Sequence, residues 1–283
     1  MRSEMRVPDE RLPGEGHGAR ISVLAGAPGF PRLGASVFPL AHWMARRHAL
    51  VGAEVGVTAG LLDRLPVPPT VVIVVEPDVD AGTVVDRLLP AAHGMLPSAG
   101  TLTLGIASPA PVRPGSAGAL VMYNLHLDPL PEALVEAAAA GRRCGLTTVH
   151  GNTVLLLQRF VPVTASAVVH AHPDRRRPVR IDGRWGLTEA SSPADTFEVP
   201  ADGTAGRELL AWKPTAHVPA RGGTGTVNLP HNRRHRYSLG RATVRQLAAL
   251  SRDAAVTARR PLSLDIALAA TGPVVLRCRP AVG

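Results

Sequence analysis

An α+β fold of two lobes is predicted for this chain of 283 residues, and three features of the sequence carry the prediction. Short β-branched, apolar runs bounded by Pro, Gly and Asp recur along it, as buried strands require. One segment in each half has helical rather than strand character. The chain closes on strand, turn, strand, which pairs antiparallel. A hydrophobic content of 45% is enough for a sizeable core. The reading places a disordered tail at 1–20, an N-terminal lobe at 21–150 and a C-terminal lobe at 151–283.

The elements follow in order. "PTVVIVV" (69–75) and "GTLTLGIA" (100–107) read as buried strands. "PEALVEAAAAG" (131–141) reads as a helix: Pro131 suits the first turn, the alanines the interior and Gly141 the C-cap. "NTVLLLQRFVP" (152–162) is a strand ended by Pro162, and "ASAVVHAHPD" (165–174) is placed beside it across a short turn. "RRRPVRIDGRWG" and "DTFEVPADG" add strands with Gly and Pro turns. In "GRATVRQLAALSRDAAV" (240–256), Val244, Leu247, Ala248 and Ser251 fall at i, i+3, i+4, i+7, one face of an amphipathic helix. In "PLSLDIALAATGPVVLRCRP" (261–280) a turn at Thr271 and Gly272 brings Asp265 near Arg277 and Arg279. Such a charge group is either a rim salt bridge or part of a polyphosphate site.

The net charge of +9 would suit an anionic partner. The basic residues are almost all arginine, Lys213 being the sole lysine, which reads as a bias of residue usage rather than a basic stripe. Cys144 and Cys278 are too few for a disulfide framework, and a reducing, cytoplasmic location is expected. The N-terminal segment has no apolar stretch of signal-peptide type, and no apolar run approaches the roughly 20 residues of a membrane span.

Several motifs invite a chemical reading beside a plain one. "RGGTGT" (221–226) offers free backbone amides to phosphate but lacks P-loop spacing, so a surface turn is preferred. "HAHPDRRR" (170–177) puts two histidines on one strand face with no further metal ligand evident nearby. "HNRRHR" (231–236) and "RRRPVR" (175–180) are basic enough for phosphates, yet no aromatic residue is interleaved with them. They read as solvated faces, and nucleic acid is not the expected partner. There is no G-x-S-x-G and no H-E-x-x-H, and spacing alone names no reaction.

Taken as one string, the second half resembles a known family. "LLLQRFV", "RWGLTEASSPADTFEV", Lys213, "LPHNRRHRYSLGRATVRQLAAL", "RPLSLDIA" and "VVLRCRP" stand in the order seen in the ATP-binding domain of phosphoenolpyruvate synthase. That domain is shared with pyruvate phosphate dikinase and the rifampicin phosphotransferases. Its pattern runs V-Q-x-M-V, W-G-L-G-E, P-D-x-F, a lysine, F-S-L-x-x-x-x-V-x-x-L-A, P-x-D-I-E-W-A and Q-A-R-P. No single piece is specific, whereas six in order over about 125 residues are. In the first half, "RLPVPPTVVI" (64–73) and "SPAPVRPGSAGALVMYNLHL" (108–127) are similar to the family's G-x-x-V-P-x-G-F-x-I and to its glycine-containing stretch ending in L-N.

The resemblance implies an ATP-grasp-like fold, two lobes with antiparallel sheets and a nucleotide cleft between them, with ATP as ligand. By position, Leu157, Gln158, Arg159, Phe160 and Val161 would form the hinge that holds adenine. Asp265 would bind magnesium and Arg279 phosphate. Lys213 and Glu189 match polar positions of the second lobe, and Arg113 could replace a missing cation of the first, where Gly105 and Ile106 stand. Arg32 is the nearest charge to the family's N-terminal lysine position.

The departures limit the chemistry. The first acid of D-I-E is Ser263, and the second is Asp265. The glutamine of Q-A-R-P is Arg277, whose charge at roughly 5 Å from a divalent ion costs on the order of 6 kcal/mol at an effective dielectric of about 20. Magnesium binding is therefore expected to be weak, with Arg277 standing in against phosphate. Three functions follow: a nucleotide-binding, ATP-dependent phosphotransferase (kinase) with an altered site; a non-catalytic pseudoenzyme acting as a binding or regulatory partner; or an arginine-rich RNA- or polyanion-binding protein. No phosphocarrier histidine motif is visible, so any acceptor is expected to be a separate histidine-phosphocarrier protein or a small molecule.

Overall fold

In the computed structural model the residues described are 35–42, 45, 48–79, 85, 86, 90, 94, 96, 100–112, 121–188, 192–202, 206–220 and 223–282. They form an α+β molecule with two main sheets, both antiparallel throughout.

The first sheet holds β1 (Ala35–Pro39), β2 (Thr70–Val75), β3 (Leu102–Ile106), β4 (Val121–Leu125) and β5 (Thr153–Arg159), in the order β1-β2-β5-β3-β4. Strand period two sends Val71, Ile73, Val75, Leu102, Leu104, Ile106, Leu155 and Leu157 to one face. There they pack on Leu130, Leu134, Ala137 and Ala138 of helix α2 (Leu130–Arg143). Gly141 lies inside that helix rather than at its cap: a β-carbon there would stand 2.4 Å from Thr153 Cγ2, so glycine is needed for close packing on β5. The C-cap is Cys144.

The second sheet runs β13-β12-β6-β7-β8-β9. Its strands are β6 (Ala165–Ala171), β7 (Val179–Trp185), β8 (Asp195–Val199), β9 (Glu208–Leu209), β12 (Leu262–Ala269) and β13 (Gly272–Pro280). Helix α4 (Arg241–Ala258) covers one face with the predicted stripe Val244, Leu247, Ala248 and Ser251, all buried. A hairpin of β10 (Thr215–Ala220) and β11 (Gly223–Asn228), the short helix α3 (His231–Arg234) and helix α1 (His48–Gly60) complete the described elements.

The expected pairing of 152–162 with 165–174 does not occur. β5 is the central strand of the first sheet, and β6 lies inside the second. Pro162 and the residues around it thus form a linker between sheets rather than a hairpin turn. Helix α1 is interrupted at Gly52, whose φ of +77° is left-handed and whose absent β-carbon would meet Pro109 Cα at 2.8 Å. This close approach lets Ala53 N–H and Glu54 N–H donate to Pro109 O and Ser108 O, which fixes Glu54 beside β13.

Candidate functional site

The closing hairpin sets Asp265 directly opposite Arg277 and Ser263 opposite Arg279. Leu262, Leu264 and Ile266 belong to the core under α4, so the alternating residues Ser263 and Asp265 turn to the opposite face. Both arginines and both of these partners are buried.

Arg277 makes a bidentate fork with Glu54 of α1: Nε donates to Oε1 and Nη2 to Oε2, each at 2.6 Å. Nη2 also donates to Ile106 O at 2.8 Å. Glu54, fully buried, accepts a third bond from Ser108 N–H at 2.6 Å. Burial alone would lower the Arg277 pKa, but the Glu54 carboxylate more than reverses that and holds it above the ordinary arginine value. Arg279 Nη2 donates to Asp265 Oδ1 at 2.5 Å, while its buried Nε has no partner among the described residues. Thr58 of α1 donates to Cys278 O, and burial pushes the Cys278 thiol pKa up, so that cysteine is an inert thiol.

Between the sheets, Gln158 Nε2 donates to Leu276 O at 2.9 Å and to Thr70 Oγ1 at 3.0 Å. Of the hinge and hairpin residues, Gln158, Asp265 and Arg277 line one small cavity, together with Leu156. Its volume is about 10 Å³, which is room for a single water. Leu157, one residue away, faces the core under α2 instead.

The large space lies at the linker. A groove of about 950 Å³ is lined by Arg159, Phe160, Val161 and Pro162, by the 66–69 and 100–101 segments, by His126, and by Ala269, Ala270, Thr271 and Val274 of the hairpin turn. Phe160 N–H donates to Thr101 O and Pro162 has no N–H, so Val161 carries the one amide of that tripeptide with no partner among the described residues.

Lys213 is almost wholly buried and pairs with Asp195, while donating also to Ala211 O at 2.9 Å. Asp195 further accepts Ala211 N–H at 3.0 Å, Ser238 N–H at 2.7 Å and Ser238 Oγ–H at 2.8 Å. Lys213 thus anchors the 211–213 segment beside Ser238. Glu189, Arg113 and Arg32 lie outside the described residues.

On the face of the second sheet away from α4, half-buried His170 stands in register with Ser263 and Arg180. Burial lowers the His170 pKa, Asp182 and Asp265 partly countering it while Arg180 and Arg279 add to it. Among the described residues no group of three or more His, Cys, Asp or Glu converges as a metal site. Asp265 alone, held by Arg279 and opposite Arg277, does not suit a divalent ion. Glu54, which organises the hairpin charges, carries no local motif, whereas Asp195 stands at the acid of the P-D-x-F piece but is not singled out there. Glu54 meets its partner across 223 residues of chain.

No family model matches the chain, and no curated protein matches it. Among solved structures, the ATP-grasp ligase PsnB complexed with a minimal precursor is similar at a TM-score of 0.36 and 14% identity, over 84% of this chain and 55% of that one. D-alanine–D-alanine ligase from Bacillus anthracis is similar at a TM-score of 0.38 and 10% identity, over 83% and 58%. The enzyme of the same name from Coxiella burnetii gives 0.33 and 12%, over 81% and 50%. The chain spans about half the length of these structures. The helices of the described residues include none long and apolar enough to cross a membrane.

Proposed function

We propose that this chain is a nucleotide-binding domain of ATP-grasp type that holds a purine nucleotide in the linker groove. The observation that carries the reading is the groove itself: about 950 Å³, walled by Phe160, Val161, Pro66, Pro68 and Val274, with the Val161 amide unpartnered among the described residues. An apolar slot with one or two edge hydrogen bonds is what a planar base requires. Arg159 and His126, both exposed on the groove, supply charge for phosphate. The ordered sequence pieces that resemble those of the phosphoenolpyruvate synthase family favour ATP as the nucleotide.

A second reading, a non-catalytic binding or regulatory partner, is favoured by the ion pairs of the closing hairpin. Phosphoryl transfer needs cations and a metal free to meet the transferring group. Arg277 is engaged by Glu54 and Ile106 O, and Asp265 by Arg279. Phosphotransferase activity toward a cytoplasmic histidine-phosphocarrier protein is therefore the less favoured outcome.

Thermal-shift titration with ATP, with and without magnesium, tests the binding. A concentration-dependent rise in Tm follows from linkage, and it is expected without magnesium. Ala270→Trp, on the exposed hairpin turn, is expected to abolish the rise and leave the unliganded Tm unchanged within about 1 °C. No rise at millimolar ATP, or one that survives Ala270→Trp, defeats the reading. Transfer of labelled phosphate to an added histidine-phosphocarrier protein would defeat the non-catalytic one.

A further inference from the structure

We propose that the 231–237 turn and Trp212 form a binding surface for single-stranded nucleic acid, separate from the linker groove. The sequence shows a basic cluster with no interleaved aromatic residue, but the fold brings aromatic rings to it. Two of the chain's three tryptophans lie there. Trp212, 49% exposed, has the His235 ring centroid at 4.5 Å and Arg234 Cζ at 5.8 Å. His231 continues the row, 5.5 Å from His235. Arg233 Cζ stands 5.2 Å from the Trp185 ring, whose Nε1 donates to Arg233 O. Tyr237 is exposed and packs on Phe197 at 5.2 Å.

The surface is held ready rather than loosely displayed. Asp195, buried beneath it, accepts hydrogen bonds from Ala211 and Lys213, on either side of Trp212, and from Ser238, next to Tyr237. Lys213 N–H donates to Arg234 O, and Arg234 Nε to Leu229 O at 2.7 Å. The Trp212 segment and the basic turn are thereby fixed side by side, so little ordering entropy opposes a ligand.

The chemistry favours a flexible polyanion that carries flat rings. His231, Arg233, His235 and Arg236 are all exposed, and neither Arg233 nor Arg236 forms an ion pair among the described residues. An acidic peptide would use these cations but has no need of exposed indole and imidazole rings. A single strand uses both: bases stack on the rings, and the phosphates between them meet the guanidinium groups.

The test is fluorescence anisotropy of a labelled oligothymidylate of about 15 nucleotides with the full chain, at about 50 and 200 mM salt. Binding is expected at the lower salt and is expected to weaken steeply at the higher. Trp212→Ala is expected to weaken it about tenfold, since one base loses its stacking partner. Arg233→Ala with Arg236→Ala is expected to reduce the salt slope by about 1.4, two contacts at about 0.7 each for a single strand. The double variant is expected to leave the ATP-induced thermal shift unchanged, which separates the two sites. If Trp212→Ala does not fold, as judged by circular dichroism, Trp212→Phe with the double arginine variant carries the test. Absence of binding at the lower salt, or binding indifferent to both the Trp212 and the arginine substitutions, overturns the proposal. So does capture of polyaspartate or of phosphatidylglycerol vesicles in place of the oligonucleotide.

Discussion

Glu54→Gln gives the sharpest test of how the hairpin charges are organised. In the native protein the Glu54 carboxylate, fully buried, accepts three hydrogen bonds at 2.6 Å, two of them from Arg277. The amide cannot accept the guanidinium fork and carries no charge, so a buried cation loses its hydrogen-bonded countercharge, keeping Ile106 O as an acceptor and the carboxylate of Asp265 on the facing strand. Two unit charges about 4 Å apart at an effective dielectric of about 20 attract by about 4 kcal/mol. Breaking one side of a buried pair costs about 3–5 kcal/mol. For a domain of this size that is a fall in Tm of about 10 °C. Urea unfolding followed by circular dichroism is the assay, with the midpoint falling and the m-value unchanged. Arg277→Gln should cost a similar amount, because it strands the carboxylate. Glu54→Leu with Arg277→Met should return to within about 2 kcal/mol of the parent, since an apolar pair carries no desolvation penalty. A Glu54→Gln cost below about 1 kcal/mol, or a double variant as unstable as the sum of its parts, would refute the reasoning.

Three further outcomes are expected. Lys213→Met leaves Asp195 with its Ala211 and Ser238 donors but no countercharge, and should cost about 3 kcal/mol in urea unfolding, much of it recovered by adding Asp195→Asn; a cost under about 1 kcal/mol would contradict the assignment. Gly186→Ala should lower stability by at least about 2 kcal/mol by calorimetry, because φ is +74° and the new β-carbon would lie 2.0 Å from His217 O; an unchanged Tm would be inconsistent with that contact. Burial holds His170 neutral below its unfolded pKa of about 6.5, so the unfolded chain binds more protons there and stability falls as pH drops below that value. His170→Gln should flatten the dependence between about pH 7.5 and 5.5 measured by urea midpoints, and an identical slope in both proteins would exclude the residue as its source.

What was legible in the sequence was whatever rests on local periodicity. The stripe of α4, the β-branched run of β2 and the hairpin of β12 and β13 each read directly, because period 3.6 or 2 is imposed by the core beneath. Helix α1 was not legible: Gly52 interrupts it, and its stretch "HALVGAEVGVTAG" has no apolar stripe of constant pitch. The place of β5 was not legible either. "TVLLLQR" is buried on both faces along most of its length, so its pattern cannot say which neighbour it pairs with, and proximity in sequence favoured the wrong one. At the site, the pairing of Asp265 with Arg277 and Arg279 followed from the turn at Gly272, whereas Glu54 is supplied by a distant helix. No short-range rule could have assigned it to Arg277.

The same long-range bonds constrain where the nucleotide of the proposed function could enter. β13 is the edge strand of its sheet, yet the first lobe is fastened along its length. Val275 N–H donates to Pro66 O, Val112 N–H to Pro280 O, Val282 N–H to Val112 O, Gln158 to Leu276 O, and Arg277 to Glu54 and Ile106 O. At about 1 kcal/mol for each neutral bond and more for the charged fork, parting the sheets along this line costs more than many domains have to lose. At the linker end the Val275 bond to Pro66 O is the tie across the groove among the described residues, and beyond it Ala270 and Thr271 form an exposed turn. A nucleotide that entered by the linker would therefore set its phosphates near Arg159 and His126, and would leave the buried pair of Glu54 and Arg277 undisturbed.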